Sequence, residues 1–219
     1  MINWRSPLVS IALALHAPAA VIDTFTSGDQ AISWPPAQGS AAITSEVPIT
    51  GSLFDTRFLS FRSGGVQSLT ATTSEQVLDY SLGPDGGGYF QFGYRSTAPI
   101  NLLGGGASIL RFYFEGATGG TRFPASLDLI TSSGPAGYTW GFDLTSIFNE
   151  NEGSFVVDVP LAQISGGDLT QVTELTFDAL RITAGAGFRL SRIETIPEPA
   201  PLALLFLGAA PFVFARSRS

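Results

Sequence analysis

Alternation of apolar and polar residues along short segments is the feature that most constrains how this chain can fold. One segment places Phe90, Phe92 and Tyr94 at every second position, with Gln91 and Arg95 among the intervening residues. Successive side chains of a β-strand point to opposite faces, so this pattern predicts a strand with one buried and one wet face. Antiparallel sheets have such strands. The same alternation recurs at residues 111–115, 155–159 and 175–179.

Glycine clusters separate these segments and supply the positive φ angles that tight turns require. About ten strands at intervals of roughly 8 to 12 residues are expected from this pattern, which is typical of a sandwich. We therefore predict an all-β fold, an antiparallel β-sandwich formed by residues 20–195, with a first strand near Val21 to Thr26 and a linker at Ile196 to Ala200. The late segment Asp168 to Leu175 resembles the jelly-roll sandwiches of carbohydrate-binding modules, which implies a jelly-roll-like arrangement.

The composition excludes several kinds of chemistry. The chain has no cysteine or lysine, and its one histidine is His16. Disulfides, thiolate zinc sites, a Ser-His-Asp triad within residues 20–195 and a lysine Schiff base therefore cannot form. Residues 20–196 carry eight arginines against seventeen acidic residues, a net charge of 8 − 17 = −9. Nucleic acids require a basic patch, so a nucleic-acid partner is not expected.

The amino terminus has the order of a secretory signal peptide. Arg5 precedes an apolar segment from Leu8 to Leu15, and Ala17-Pro18-Ala19 supplies small residues at a cleavage site. The apolar segment is too short to span a membrane. We predict a signal helix in residues 1–19, export through the Sec machinery and cleavage after Ala19.

The carboxyl terminus combines three elements in a fixed order. Pro197, Glu198 and Pro199 form a Pro-Glu-Pro triplet, an uncharged apolar segment follows over residues 201–215, and Arg216 and Arg218 come last. Proline holds the entry extended. The apolar residues predict a short membrane-seeking helix, and arginines after such a helix favour a cytoplasmic end.

These three elements together resemble the PEP-CTERM sorting signal of exported bacterial proteins. The resemblance implies that residues 196–219 are a sorting segment recognised by the membrane protease-transpeptidase exosortase, with Pro197, Glu198 and Pro199 as the recognition element. It also implies transient membrane association through the C-terminal helix, with Arg216 and Arg218 as its cytoplasmic end, before release to the surface or the extracellular matrix. The alternative is a permanent tail anchor.

Three groups of residues are candidate sites. Asp85, Glu150 and Glu152 lie in glycine-containing acidic loops that could offer oxygen ligands to calcium, although hairpin turns prefer the same residues. Flat aromatic side chains can stack on sugar rings, and the alternative for them is core packing. The candidate aromatic residues are Tyr89, Tyr113, Tyr138 and Trp140. A pair of carboxylates for glycoside hydrolysis is the third candidate, but the sequence does not select a pair.

The sequence therefore predicts a secreted or surface-associated, non-catalytic β-sandwich with a sorting tail. The resemblance to sorted proteins implies a role in the exopolysaccharide or biofilm matrix, with exosortase and polysaccharide as partners. No cofactor is expected apart from the candidate calcium ion. Two alternatives remain, a permanently membrane-anchored surface protein and a carboxylate-dependent glycoside-active enzyme.

Overall fold

The structure is a computed structural model that describes residues 19–34, 42–62, 69–74, 76–83, 89–118, 122–143, 154–180, 185 and 187–197. The described residues form fourteen strands and two short 3-10 turns, Gly104–Gly106 and Leu161–Gln163. The strands are β1 Ala20–Asp23, β2 Gln30–Trp34, β3 Ile43–Pro48, β4 Thr56–Arg62, β5 Leu69–Ser74, β6 Val77–Leu82, β7 Tyr89–Ile100, β8 Ala107–Thr118, β9 Arg122–Thr131, β10 Gly134–Asp143, β11 Phe155–Pro160, β12 Ser165–Gly166, β13 Val172–Leu180 and β14 Gly187–Pro197.

The strands pair into two antiparallel sheets of seven strands each. Sheet A has the order β11-β8-β14-β6-β5-β2, and β1 also pairs with β14. Sheet B has the order β12-β10-β9-β13-β7-β4-β3. The last strand, β14, is central in sheet A: Gly187–Leu190 pair with β6, and Ile193–Thr195 pair with β1. The prediction of an all-β, antiparallel fold is confirmed.

Aromatic side chains from the two sheets meet between them. Tyr80 of sheet A stacks on Phe90 of sheet B with ring centroids 4.5 Å apart, and Phe112 meets Phe177 edge-on at 5.0 Å. Phe90 and Tyr94 are fully buried. The alternation that predicted these strands is therefore the alternation that fills the core.

The predicted number of strands, about ten on the spacing of turn signals, is lower than the fourteen that the described residues form. The four residues of β1 and the two of β12 are too short to show alternation. Strands this short are recognised by their backbone pairing with a neighbouring strand, and a single sequence does not reveal that pairing.

The first strand ends earlier than predicted. β1 stops at Asp23, three residues before the expected end at Thr26. The Asp23 carboxylate accepts a hydrogen bond from the Phe25 amide at 2.6 Å, and Phe25 has a φ of 53°. An Asx-turn of this kind ends an extended segment because it supplies a local partner for the backbone.

The last strand ends later than predicted. Ile196 and Pro197, assigned above to the linker, pair with Ile109 and Ala107 of β8. β8 is twelve residues long, and the pairing with β14 continues to the first residue of β8, Ala107. Proline is tolerated at a strand end, where its missing amide hydrogen is not needed. β14 therefore continues through Ile196 to Pro197, the first two residues of the predicted linker.

The predicted signal helix, residues 1–19, lies outside the described residues except for Ala19, and the predicted C-terminal hydrophobic helix, within residues 201–215, lies wholly outside them. Within the described ranges, no helix has the length and apolar character needed to cross a membrane.

A buried arginine joins the two sheets. Arg57 of β4 is fully buried, and its guanidinium contacts the Asp23 carboxylate of β1 at 2.8 Å. It also donates to the Gln30 amide oxygen at 2.9 Å and to the Thr73 hydroxyl at 2.8 Å, both in sheet A. The Gly28 carbonyl is a further acceptor. A buried charge is tolerated when it is paired and its remaining donors are satisfied, as they are here.

Replacing Arg57 by methionine should strongly destabilise the protein, because Asp23 would remain buried without a counter-charge. We expect the free energy of unfolding, measured by urea denaturation, to fall by about 3–5 kcal/mol. Arg189→Met is the matched control, because Arg189 is half exposed and its ion pairs with Asp79 and Glu115 are both 3.6 Å long. Its effect should stay below about 1 kcal/mol. Equal losses in the two variants would contradict the role assigned to Arg57.

Candidate functional site

The structure divides the predicted aromatic site between the two sheets. Tyr113 lies in β8 of sheet A, whereas Tyr89 begins β7 and both Tyr138 and Trp140 lie in β10 of sheet B. Trp140 pairs with Ala125 of β9. The side chains of Tyr89, Tyr138 and Trp140 are outside the described part of the structure. The four residues therefore do not form one cluster on one sheet.

The other predicted site residues lie mostly outside the described residues. This applies to the calcium candidates Asp85, Glu150 and Glu152, and to Glu198, Pro199, Arg216 and Arg218 of the sorting segment. Pro197 is described, as the last residue of β14. In the described ranges, no group of three or more Asp, Glu, His or Cys residues could hold a metal ion.

Tyr113 lies partly exposed on the outer face of sheet A, and its position is fixed from two sides. Its hydroxyl donates a hydrogen bond to the carboxylate of Glu194, which is 4% exposed. The guanidinium of Arg192 forms an ion pair with the same carboxylate and lies 5.8 Å from the centre of the Tyr113 ring. The β8–β14 register, which pairs Tyr113 with Arg192, brings these side chains together.

The surroundings of Tyr113 also affect its ionisation. Partial burial, and then the hydrogen bond to Glu194, raise the pKa of the Tyr113 phenol above its usual value. Burial disfavours the phenolate, and a donor to a carboxylate must keep its proton. Tyr113 is therefore a neutral hydrogen-bond donor at physiological pH.

A second ion pair borders Tyr113 on the same face. Arg111 donates two hydrogen bonds to Asp158 of β11, from Nε at 2.6 Å and from Nη2 at 2.7 Å. The carboxylate of Asp158 raises the pKa of Arg111 above its usual value. Two parallel bonds orient the planar guanidinium as well as neutralise it. Both partners are partly exposed, so this pair adds little to stability, but it gives the face a fixed pattern of donors and acceptors.

A pocket of about 280 Å³ opens beside Tyr113. Its walls include Glu115, Ser154 and Ser191, together with Val156, which is 47% exposed. The pocket therefore combines an aromatic ring, an apolar side chain, two hydroxyls and a carboxylate. This is the mixture of flat apolar surface and placed polar groups that small-molecule sites have. We call the outer surface formed by Arg111, Tyr113, Glu115, Val156, Asp158, Arg192 and Glu194 the Tyr113 face.

Among the described side chains of sheet B, one outer cluster around Phe58 is closed by comparison. Phe58 of β4 is only 3% exposed, because the Arg95 guanidinium lies 4.5 Å above its ring. Arg95 is held by ion pairs to Glu174, at 2.8 Å, and to Glu46. The ring occupies the space that Gly93, its neighbour in β7, leaves empty. The polar groups of this cluster bond to one another and leave no exposed ring for a ligand.

Arg192 and Glu194 were missed by the sequence analysis. They lie in the segment Ser191-Arg192-Ile193-Glu194, whose alternation indicates a strand but gives no partner for either charge. Their importance follows from register, since Glu194 pairs with Arg111 and Arg192 with Tyr113. The sequence does show that the last strand carries charges, but their partners can be identified only when the neighbouring strand is known.

No protein-family model matches the chain, and no curated protein shows significant similarity to it. Several solved structures have a similar arrangement of strands. A family 11 carbohydrate-binding module of a Clostridium thermocellum cellulase has a TM-score of 0.45 at 12% identity, over 82% of this chain and 95% of that chain. A family 28 carbohydrate-binding module specific for non-crystalline cellulose has a TM-score of 0.37 at 12% identity, over 59% of this chain and 78% of that one. An agarase has a TM-score of 0.44 at 11% identity, over 65% of this chain and 23% of its own. At this distance the likenesses assign no ligand to this chain.

The closed cluster around Phe58 depends on Gly93. A Cβ at this position would lie 2.6 Å from Cζ of Phe58 and closer still to the Leu175 carbonyl oxygen. Gly93→Ala should therefore lower the free energy of unfolding by about 1–3 kcal/mol, the usual cost of overpacking. Gly116→Ala is the control, because a Cβ at Gly116 of β8 meets nothing within 4 Å. Thermal unfolding of both variants measures the difference, and an unchanged Gly93→Ala protein would refute this packing.

Proposed function

We propose that this protein is an exported, non-catalytic β-sandwich that binds extracellular polysaccharide through the Tyr113 face. The observation that carries the proposal is a partly exposed tyrosine ring fixed by Glu194 and Arg192 on a face whose other residues, apart from Val156, are charged. The connections between the two sheets, with the last strand at the centre of sheet A, support a jelly-roll-like form of the sandwich.

The chemistry of the Tyr113 face suits a sugar. A pyranose ring offers C–H groups on its faces and hydroxyls around its edge, so it needs a flat apolar surface next to donors and acceptors. Tyr113 and Val156 provide the apolar surface, and Glu115 and Ser191 provide polar atoms beside it. Because the Tyr113 ring is already held in place, binding would cost little side-chain entropy.

The carboxylates of this face favour binding over hydrolysis. A glycoside hydrolase needs one carboxyl group that can give up a proton and a second that can attack or activate water. On the Tyr113 face, Asp158 is bound by Arg111 and Glu194 by Arg192 and Tyr113. These two carboxylates are thus engaged by partners from the same chain. Glu115, the third carboxylate of the face, has a longer ion pair with Arg189 at 3.6 Å, so at most one of the three is available for a reaction that needs two. The glycoside-active enzyme would be favoured instead by sugar-releasing activity that one Asp or Glu substitution abolishes.

Export and sorting complete the proposal. We infer cleavage of the signal peptide after Ala19, and β1 begins at the next residue, so the cut would leave the first strand intact. We likewise infer that exosortase processes the tail near Pro197 to Pro199. β14 ends at Pro197, so a cut after the triplet would leave every described strand in the mature protein. The Sec machinery and exosortase are thus proposed partners, and the cell surface or the extracellular matrix is the proposed location.

Removing the Tyr113 ring should abolish most of the binding. We expect Tyr113→Ala to reduce the affinity for the polysaccharide that the wild-type protein binds at least tenfold, or about 1.4 kcal/mol. Affinity electrophoresis in gels containing mixed-linkage β-glucan, agarose or xylan, together with a glycan array, measures this. Ile130→Ala is the matched control, because Ile130 is 50% exposed on sheet B. Equal binding by the Tyr113→Ala and wild-type proteins, both shown to be folded, would remove Tyr113 from the site.

The masses of the mature protein test the proposed processing. Protein recovered from the culture supernatant should begin at Ala20 and end near the Pro-Glu-Pro triplet, because both terminal segments are proposed to be sorting signals that are removed during export. Intact-mass spectrometry of supernatant and membrane fractions reports both ends. A protein that keeps residues 200–219 and stays in the membrane fraction would support the permanent anchor. Full-length protein confined to the cytosol would contradict export altogether.

A further inference from the structure

A larger pocket lies at the end of sheet A where β8 begins and β11 ends. Its volume is about 700 Å³, within the range of about 300–1,000 Å³ typical of pockets that bury a ligand. Its walls are mainly apolar and include Leu103, Ile109, Pro160, Leu161, Ile164 and Leu169. Leu103, at the rim, is 39% exposed. None of the residues of the Tyr113 face lines this pocket.

The polar groups at this pocket do not suit a charged ligand. Asp168 uses its carboxylate within its own turn, where it accepts hydrogen bonds from the Thr170 amide at 2.9 Å and the Thr170 hydroxyl at 2.7 Å. These bonds lower the pKa of Asp168, so the nearest charge is negative. No arginine is among the lining residues in the described part of the chain. The hydroxyl of Ser108, another lining residue, is buried without a hydrogen-bond partner among the described residues. An uncharged, largely apolar occupant that brings a polar group, such as a backbone carbonyl, is therefore favoured.

The last described residue of the chain lies beside this pocket. Pro197, the last residue of β14, pairs with Ala107, which lines the pocket. β8 lies between β14 and β11. Neighbouring strands are about 4.8 Å apart, so the path from β14 across β8 to β11 is roughly 10 Å. Residues 198–200 cover about that distance when extended, at some 3.3 Å per residue.

The segment that follows Ala200 is uncharged and apolar. Residues 201–207 read Pro-Leu-Ala-Leu-Leu-Phe-Leu. Leaving these side chains in water is unfavourable, and burying them against Leu103, Ile109 and Leu161 removes apolar area from water on both partners. A pocket and an apolar segment that are tethered this closely meet at a high effective concentration, so even weak contacts suffice.

We propose that this pocket docks residues 201–207 of the same chain and holds the apolar tail against the domain while the tail is outside a membrane. The docked tail is then in equilibrium with a free tail that a membrane can take up. The pocket would thus control how readily the tail becomes available for insertion and processing. This inference stands independently of polysaccharide binding, because it uses neither Tyr113 nor its neighbours.

Cysteine cross-linking in the full-length protein tests the docking directly. The chain has no cysteine, so any disulfide within one molecule must join the two introduced cysteines. The test variant carries Leu103→Cys and Leu204→Cys, and the control carries Val156→Cys and Leu204→Cys. Leu103 and Val156 are similarly exposed, at 39% and 47%. Mild oxidation in detergent-free buffer, followed by peptide mapping, gives the yield of each disulfide.

We expect an intramolecular disulfide in most molecules of the Leu103→Cys, Leu204→Cys variant and little in the control. Equal yields would overturn the proposal, because a free tail would reach both positions. A disulfide-linked dimer in place of the monomer would overturn it as well, since the pocket would then hold the tail of a second copy. Detergent micelles, which compete for the apolar tail, should lower the yield in the test variant.

A second measurement needs only a single cysteine, placed in the tail. A water-soluble maleimide should label Leu204→Cys about tenfold more slowly than Ser217→Cys, the ratio for a segment that is docked nine-tenths of the time. Leu103→Glu, a rim substitution at an exposed position, should bring the two labelling rates together. Equal rates before that substitution would contradict docking of the tail.

Discussion

The layer of aromatic rings between the two sheets is the constraint on which the rest of this structure depends. Tyr80, Phe112 and Phe188 of sheet A meet Phe90, Phe92 and Phe177 of sheet B, with neighbouring centroids 4.5–6.5 Å apart. Rings at these distances gain from offset and edge-on contacts in addition to the burial of their area. Each sheet can fill this layer in only one register, because a slip of one residue would turn every ring outward.

The outer faces follow from the same register. Once the rings face inward, Tyr113 and Arg95 must face outward on opposite sheets, and their strand neighbours become their partners. On sheet B, Arg95 closes over Phe58 and joins Glu46 to Glu174, which covers the Phe58 ring. On sheet A, Arg192 and Glu194 hold Tyr113 beside an open pocket. A few charged side chains thus decide that one outer aromatic ring is covered and that the other borders a pocket.

Much of the fold could be predicted from residues alone, and less of the site. The alternation at Phe90, Phe92 and Tyr94 correctly predicted a strand with a buried face. The burial of Arg57 was not predictable, because arginine is almost always exposed unless it is paired, and its partner Asp23 lies thirty-four positions away. Of the four aromatic residues predicted as a site, Tyr113 has a described side chain, and it lies on an outer face. The hydrogen bond that holds it in place goes to Glu194, eighty-one positions away, so the sequence did not reveal it.

The sequence by itself determined that this chain is built from antiparallel strands, that it lacks thiol and amine chemistry, and which end carries its apolar tail. These properties depend on composition and on a period of two residues, both of which are local. The tertiary structure decided which strands are neighbours, which carboxylate each of the paired arginines meets, and that β14 ends at Pro197 opposite Ala107, a residue that lines an apolar pocket. Such pairings join residues far apart in the chain, so their energy exists only after the strands have assembled.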